Sequence, residues 1–151
     1  MSEYDSTIDT LLHIKRVNKA LLTVCTLLQS RAMFHDTSKL MSPEKQVFDV
    51  VTPKLRDMTY GSDEYKASLA EMGEALKHHY EQNCHHPEHY ENGISDMDLF
   101  DLVEMFCDWV SAVERHADGD IFKSIEHNKK RFQMSEQLCS ILRNTARRVK
   151  L

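Results

Sequence analysis

Apolar residues recur at helical spacing along most of this chain, and no segment shows the strict apolar–polar alternation of a half-buried strand. The first apolar run predicts a helix from about Ser6 to Gln29, with Ser6 as its N-cap. The apolar residues that define this helix are Ile8, Leu11, Leu12, Leu21, Leu22, Cys25 and Leu28. A long helix is therefore expected to open the chain.

Start and stop signals divide the remainder into five further helices. Ser42-Pro43-Glu44 predicts a helix start, with serine as the cap and proline at the first helical position. Thr52-Pro53 predicts its end, after about Val51. Ser95 is expected to cap a long helix, with Asp98 three residues later as a variant of the capping box. The predicted ranges are 42–51, 62–82, 95–117, 120–131 and 135–149.

The helix predicted for residues 62–82 carries a candidate site residue. Helical spacing places His79 on the apolar face, pointing inward, and His78 off to the side. The other residues of that face are Leu69, Met72, Leu76 and Tyr80. The loop that follows holds His85, His86 and His89.

These elements predict an all-α fold, a compact orthogonal helical bundle formed by residues 1–151 as a single domain. Only 4 glycines and 3 prolines interrupt the chain, which favours helices over a many-turned β fold. A chain of 151 residues can bury roughly 70% of its unfolded surface, so one core is sufficient for stability.

Charge and composition narrow the classes of function. A net charge of -5 argues against general nucleic-acid binding, which needs clustered cations. No apolar run approaches the roughly 20 residues of a membrane span. The N-terminus is polar and acidic, and the 4 cysteines show no CxxC spacing, as expected for reduced thiols in the cytoplasm.

Histidine and carboxylate residues form the candidate chemistry. His35-Asp36 offers a nitrogen and an anionic oxygen, a donor pair that suits Mn, Fe, Co, Ni or Zn. His13 precedes the pair, and Asp108 follows the His-rich stretch of residues 78–89. Each of these candidate residues also has a purely structural interpretation. A lone histidine is more often structural than a metal ligand, and Lys39 could be a simple helix residue.

Two acidic residues of the long helix, Glu104 and Asp108, are four residues apart and share one face. That face borders Val103 and Phe106. Carboxylates beside apolar positions are costly to bury unless a cation compensates them, and a divalent metal would do so. The alternative is a solvated acidic stripe.

The order His13, His35-Asp36, Asp108 resembles that of the HD-domain phosphohydrolase superfamily. Its members are all-helical and hydrolyse phosphomonoesters or phosphodiesters with one to three divalent metals. The resemblance implies that these four residues are metal ligands and that Asp36 bridges metals. Lys39 matches the lysine of the superfamily's His-Asp-x-x-Lys motif, which implies a contact with substrate phosphate.

The additional histidines resemble a subset of that superfamily, which includes cyclic-dinucleotide phosphodiesterases. That subset has one histidine and then a His-His pair before the final aspartate. His79 resembles the single histidine and His85-His86 the pair, which implies that they hold a second metal. The segment between them is much shorter here and the Gly-Tyr-Pro loop is absent, so the chain departs from the cyclic-dinucleotide enzymes.

The chain also resembles a small family of uncharacterised proteins from phages and bacteria, through residues 83–90 and 104–109. That likeness implies no activity, but it supports His86, Glu104 and Asp108 as parts of one site.

The combined expectation is a metal-dependent phosphohydrolase in which metal-bound hydroxide attacks a small phosphate ester, with a nucleotide as the first candidate. Lys39 and Arg115 are the candidate phosphate-binding cations, although Arg115 could equally be solvated. Glu104 is expected to orient water or a ligand. Two alternatives stay open: a metal-containing protein that binds a nucleotide or signal without turnover, and a helical interaction protein. A homodimer is also compatible with the resemblance.

Overall fold

The computed structural model describes residues 4–56, 58, 62–115 and 119–149, and the regular secondary structure in these ranges is helical throughout. The predicted all-α class is therefore confirmed. The chain divides into two compact units, residues 1–35 and 36–151. Each unit is described by itself below.

The first unit consists of one helix, α1 (Thr7–Phe34), preceded by Ser6 in the N-cap position without a side-chain cap. It continues five residues beyond the predicted end at Gln29, because residues 30–34 contain neither glycine nor proline. Arg31 lies in the last turn, where a cation complements the helix dipole. At 1.5 Å per residue, this helix is about 42 Å long. None of its residues is buried.

The second unit contains six α-helices and three short 3₁₀ helices within the described residues. The 3₁₀ helices span Thr37–Leu40, Pro87–His89 and Gly93–Asp96. The α-helices are α2 (Glu44–Arg56), α3 (Asp63–Glu71), α4 (Gly73–Gln82), α5 (Leu99–Glu114), α6 (Ile121–Arg131) and α7 (Glu136–Val149).

Helices α2, α3 and α4 differ from the predicted ranges, and α2 begins at Glu44, after Pro43. Helix α2 does not end at Val51 but continues through Pro53. Val51 is buried, and its packing outweighs the unfavourable proline that follows on the exposed side. The single helix predicted for residues 62–82 is instead two helices, because Gly73 adopts a left-handed φ of 44° that interrupts the helical backbone.

The start of α5 differs from the prediction by three residues. The N-cap is Asp98, whose carboxylate accepts hydrogen bonds from the backbone N–H groups of Phe100 and Asp101. Asp101 in turn accepts from the backbone N–H of Asp98, which completes the capping box. Ser95 lies in the preceding 3₁₀ helix. The predicted end at Ala117 and the side chain of Leu69 fall outside the described residues.

The core of the second unit lies between α5, α6 and α7. Because Glu104 and Asp108 each precede a buried α5 residue in the sequence, packing of this core fixes the helix that carries both carboxylates. The buried core residues are Met105, Phe106, Trp109, Val110, Ile121, Ile125, Met134, Cys139, Leu142 and Ala146. Among the described helices, none combines the length and the apolar character that crossing a membrane requires.

Candidate metal centre

Asp36 opens the second unit in an unusual backbone conformation. Its φ of 56° lies in the left-handed region, which aspartate tolerates better than most residues. The short 3₁₀ helix that follows brings the Lys39 ammonium back onto the Asp36 carboxylate as an ion pair. Asp36 therefore presents one carboxylate oxygen, Oδ2, to a cation of its own chain and the other, Oδ1, to the histidines described next.

Three histidine side chains lie together beside the Asp36 carboxylate. Nε2 of His79 lies 3.4 Å from Asp36 Oδ1 and Nε2 of His85 lies 3.5 Å from it. Nε2 of His86 lies 2.9 Å from Nε2 of His79. Each of the four residues offers one ligand atom within 4.8 Å of the others. Three nitrogens and one carboxylate oxygen in such a small volume form a donor set that fits Mn, Fe, Co, Ni or Zn.

The buried carboxylate of Glu44 orients His79 through Nδ1, the ring nitrogen that does not face Asp36. Glu44 is the first residue of α2, where the N-terminal end of the helix dipole stabilises a negative charge. Its Oε2 lies 2.9 Å from Nδ1 of His79, and its Oε1 lies 2.8 Å from Nδ1 of His78. The Ser38 hydroxyl donates a third hydrogen bond to Glu44 at 3.0 Å.

Glu104 on α5 has the same relationship to His85. Its Oε1 lies 3.1 Å from Nδ1 of His85. A carboxylate at Nδ1 favours the tautomer that carries its proton there, which leaves the lone pair of Nε2 available for a metal. His79 and His85 are thus both held with Nε2 facing Asp36, as ligands of one ion would be.

Burial keeps the third histidine neutral. It lowers the pKa of His86 to about 3, an effect reinforced by His85 and His79 and opposed by Asp108 and Asp36. Burial, followed by the nearby Lys39 cation, also lowers the pKa of His79. Neutral imidazole is the form that binds metals, so both side chains are in the ligand form at neutral pH.

Asp108 lies one turn after Glu104 on α5, and its carboxylate lies within 4.8 Å of that of Asp36. Two carboxylates this close repel each other unless a cation lies between them. Asp108 therefore borders the same centre as the three histidines, as its sequence position predicts.

The remaining two predicted ligands, His13 and His35, both belong to the first unit. They are 22 residues apart along a chain that is helical from Thr7 to Phe34, so their Cα atoms are about 33 Å from each other. His13 and His35 of one chain therefore cannot bind the same ion. The pairing came from the family resemblance, although the helix predicted from Ser6 to Gln29 already separates His13 from the His35-Asp36 pair. His35 as a ligand stays a prediction.

Three residues of the centre escaped the sequence analysis: Glu44, Ser38 and Asn83. Asn83 ends α4, where its side-chain amide donates to the carbonyl of His79 at 2.8 Å and to the Ser38 hydroxyl at 2.9 Å. Glu44 resembles an ordinary acidic residue in a first helical turn, and only its complete burial distinguishes it. One sequence signal could have pointed to Glu44: it stands at the predicted helix start Ser42-Pro43-Glu44, shortly after the His35-Asp36 pair.

A cleft of about 920 Å³ opens beside the cluster. Asp36, His79, His86 and Asp108 line one part of it. Its other lining residues include three cations and four aromatic side chains: Lys39, Arg115, Arg131, Phe48, Tyr80, Trp109 and Phe132. Trp109 itself is a core residue, stacked on Phe132 with ring centroids 6.3 Å apart.

The metal-free protein is expected to lose stability as the pH falls below about 6.5. His86 has a folded-state pKa of about 3, below the unfolded value of 6.5, so its contribution is present above pH 6.5 and is lost on acidification towards pH 3. Between pH 7.5 and pH 4.5 the loss from His86 is on the order of 2–3 kcal/mol. Urea titrations with chelator at pH 7.5, 5.5 and 4.5 measure it. The variant His86→Gln should show a smaller pH dependence, because only the contribution of His79 remains, and the exposed-site control His127→Gln should retain the wild-type dependence. Equal slopes in the two variants would contradict the assignment.

Comparison with known proteins gives a family but no activity. No curated protein and no solved structure matches the chain. One family model, described as a family of unknown function (DUF5662), matches residues 2–148. This match spans nearly the whole sequence, and we conclude that the chain is a member of the DUF5662 family.

Proposed function

We propose that this protein is a metal-dependent phosphohydrolase that acts on a small phosphate ester, with a nucleotide as the first candidate substrate. The observation that carries the proposal is the convergence of His79, His85 and His86 on Asp36, with Lys39 beside them. We further propose that the helices form a bundle of HD-domain type and that the protein works in the cytoplasm, where its cysteines stay reduced.

The ligands of the metal would be Asp36, His79, His85 and His86, with Asp108 as a carboxylate for a second ion. A bound divalent ion supplies a Lewis acid for a phosphoryl oxygen and lowers the pKa of water towards neutrality. Glu44 and Glu104 do not touch substrate in this proposal. They act through His79 and His85 as positioning residues.

Lys39 would bind the phosphate of the substrate. Its ammonium pairs with Asp36 and lies 5.1 Å from the centroid of the Phe48 ring, at the wall of the cleft. A phosphate oxygen bound beside the metal would lie within reach of this cation. Arg115, exposed at another part of the cleft wall, would supply a second positive charge.

The cleft supports a nucleotide as substrate. Its volume of about 920 Å³ falls within the range of small-molecule sites. Cations and aromatic residues share its wall, a combination that suits phosphate together with a planar base. The carboxylates of Asp49 and Glu88 at the same wall favour a small substrate over a polyanionic nucleic acid.

Hydrolysis of a panel of nucleotides, with Mn²⁺, Co²⁺ or Ni²⁺ added, tests the proposal. Phosphate release from at least one member is expected. Lys39→Met should lower kcat/KM roughly 10- to 100-fold, the effect of losing one hydrogen bond to a charged group. Lys45→Met is the matched control, because Lys45 is exposed and pairs with Asp49. The control should retain wild-type kcat/KM.

The outcomes separate the candidate functions. Folded, metal-loaded protein that hydrolyses none of the nucleotides would contradict the enzymatic proposal. Intact nucleotide released by heating such protein would indicate a binding protein without turnover. Equal losses in Lys39→Met and Lys45→Met would contradict the role of Lys39 in binding phosphate.

A further inference from the structure

The two sides of the cleft differ in character. Helices α2 and α4 contribute apolar side chains to its wall, among them Phe48, Leu55 and Leu76. The two arginines of the wall, Arg115 and Arg131, lie instead at the C-terminal ends of α5 and α6. A ligand that fills the cleft therefore meets apolar surface on one side and positive charge on the other, which suits a nucleoside that carries phosphate.

Two contacts hold the Arg131 side chain in place at the cationic side. Its guanidinium carbon lies 4.7 Å from the centroid of the Phe132 ring, which stacks on the Trp109 ring at an interplanar angle of 4°. Its Nη2 forms an ion pair with the carboxylate of Glu88. The side chain is nevertheless 40% exposed, so a ligand can reach it. An arginine that is already ordered loses less conformational entropy when it binds a ligand.

The ion pair with Glu88 connects Arg131 to the metal centre without making it part of that centre. Glu88 lies two residues after His86, so their Cα atoms are at most about 7 Å apart, and both side chains line the cleft. Lys39, by contrast, pairs directly with the proposed ligand Asp36. The two cations are thus suited to different parts of one ligand: Lys39 to the phosphate on the metal, and Arg131 to a group farther along the cleft.

Phosphate is the group that the Arg131 guanidinium fits best. A guanidinium is planar, has five N–H donors and no acceptor, and can form two parallel hydrogen bonds with phosphate oxygens. The edges of bases present few acceptors, in several cases mixed with donors, so a group that only donates matches them less well. The charge and the shape of Arg131 therefore both favour a second phosphate.

We propose that Arg131 binds a second phosphate of the substrate, and that the substrate is therefore a nucleoside diphosphate rather than a monophosphate. This inference rests on the proposed function, in which the metal and Lys39 hold the terminal phosphate. The inner phosphate would lie at Arg131 and the nucleoside along the apolar side of the cleft. Arg131 is then a specificity-determining residue, because it contacts the phosphate that stays with the nucleoside.

The reaction that follows from this placement is hydrolysis of the terminal phosphate. Water adds to the terminal phosphorus, and the bond between this phosphorus and the bridging oxygen breaks. The bridging oxygen leaves with the nucleoside monophosphate, and the terminal group leaves as inorganic phosphate. The oxygen of the water is retained in the inorganic phosphate, and its protons are shared between the two products and the solvent.

Calorimetric titration of the Mn²⁺-loaded protein with two phosphonates tests the proposal without turnover. Adenosine 5′-(α,β-methylene)diphosphate has a carbon bridge between its phosphorus atoms that water does not cleave. Phenylphosphonate has an aromatic ring and one anionic group. Arg131→Gln should raise the Kd of the diphosphate analogue roughly 10- to 100-fold, the effect of losing hydrogen bonds to a charged group, and should leave the Kd of phenylphosphonate unchanged.

Two further variants sharpen this comparison. Lys130→Gln is the matched control, because Lys130 is also an exposed cation near the end of α6 but does not line the cleft. It should bind both probes with wild-type Kd. Arg131→Lys keeps the charge but cannot form two parallel hydrogen bonds, so its Kd for the diphosphate analogue should lie between those of the wild type and Arg131→Gln.

The outcomes separate this inference from the proposed function. An unchanged Kd of the diphosphate analogue in Arg131→Gln overturns the inference, because any preference for two phosphonate groups would then come from chelation of the metal. Equal losses for both probes also overturn it, because Arg131 would then support the cleft in general. In both cases, binding of phenylphosphonate by the wild type leaves the proposed function standing. A metal-loaded wild type that binds neither probe contradicts the proposed function and this inference together.

Discussion

Replacement of Asp36 by asparagine should lower the affinity for divalent metals by at least about 100-fold, more than the loss of an outer-shell partner typically costs. Hydrolysis, where present, should be lost with it. Asp36 is the residue on which Nε2 of His79 and of His85 converge, and the carboxylate of Asp108 lies nearby.

The physical reason is the charge of the Asp36 carboxylate. An amide oxygen has the same shape but no negative charge, and amide oxygen is a poor ligand for the borderline metals that histidine selects. Lys39 would also lose its anionic partner. In Asp36→Asn, therefore, a metal would meet three neutral imidazoles and an uncompensated ammonium.

Calorimetric titration with Mn²⁺ and Co²⁺ measures the change. Asp49→Asn is the matched control: Asp49 lines the same cleft but is exposed and pairs with Lys45. It should bind metal with wild-type affinity. If Asp36→Asn also bound metal as tightly as the wild type, the histidine cluster would not be a metal centre.

The sequence allowed the helices to be predicted, because helical periodicity is local information and is sufficient for an all-α fold. His79, His85 and His86 were expected beside Asp36 because their order resembles the ligand order of a metal-dependent superfamily, and their residue types suit a divalent metal. The breaks between helices were harder to predict. The conformation of Gly73 and the tolerance of Pro53 depend on packing that a single sequence does not show.

Partners that are distant in sequence could not be predicted. Glu44 is 35 residues from His79 and Glu104 is 19 residues from His85, and neither spacing has a helical or strand period. Their roles depend on how the helices meet. His13 shows the opposite error: the order of ligands along the chain suggested proximity, while the unbroken helix α1 keeps His13 distant from His35.

Glu44 provides the second large expected effect. Glu44→Gln should lower metal affinity 10- to 100-fold, the usual cost of losing an outer-shell partner. The wild-type carboxylate accepts from Nδ1 of both His78 and His79. Glutamine has one acceptor oxygen and a donor NH₂, so one of the two histidines loses its acceptor. The tautomer of His79 that directs its Nε2 lone pair towards Asp36 is then no longer enforced.

A double-mutant cycle distinguishes this role from a general loss of stability. If Glu44 acts through His79, Glu44→Gln should reduce Co²⁺ affinity strongly in the wild type and little in the His79→Ala background. Glu74→Gln, a change on the exposed surface of α4, should have no effect in either background. Additive losses would show that Glu44 supports the fold rather than the ligand, and the carboxylate–histidine–metal arrangement would then have to be abandoned for His79.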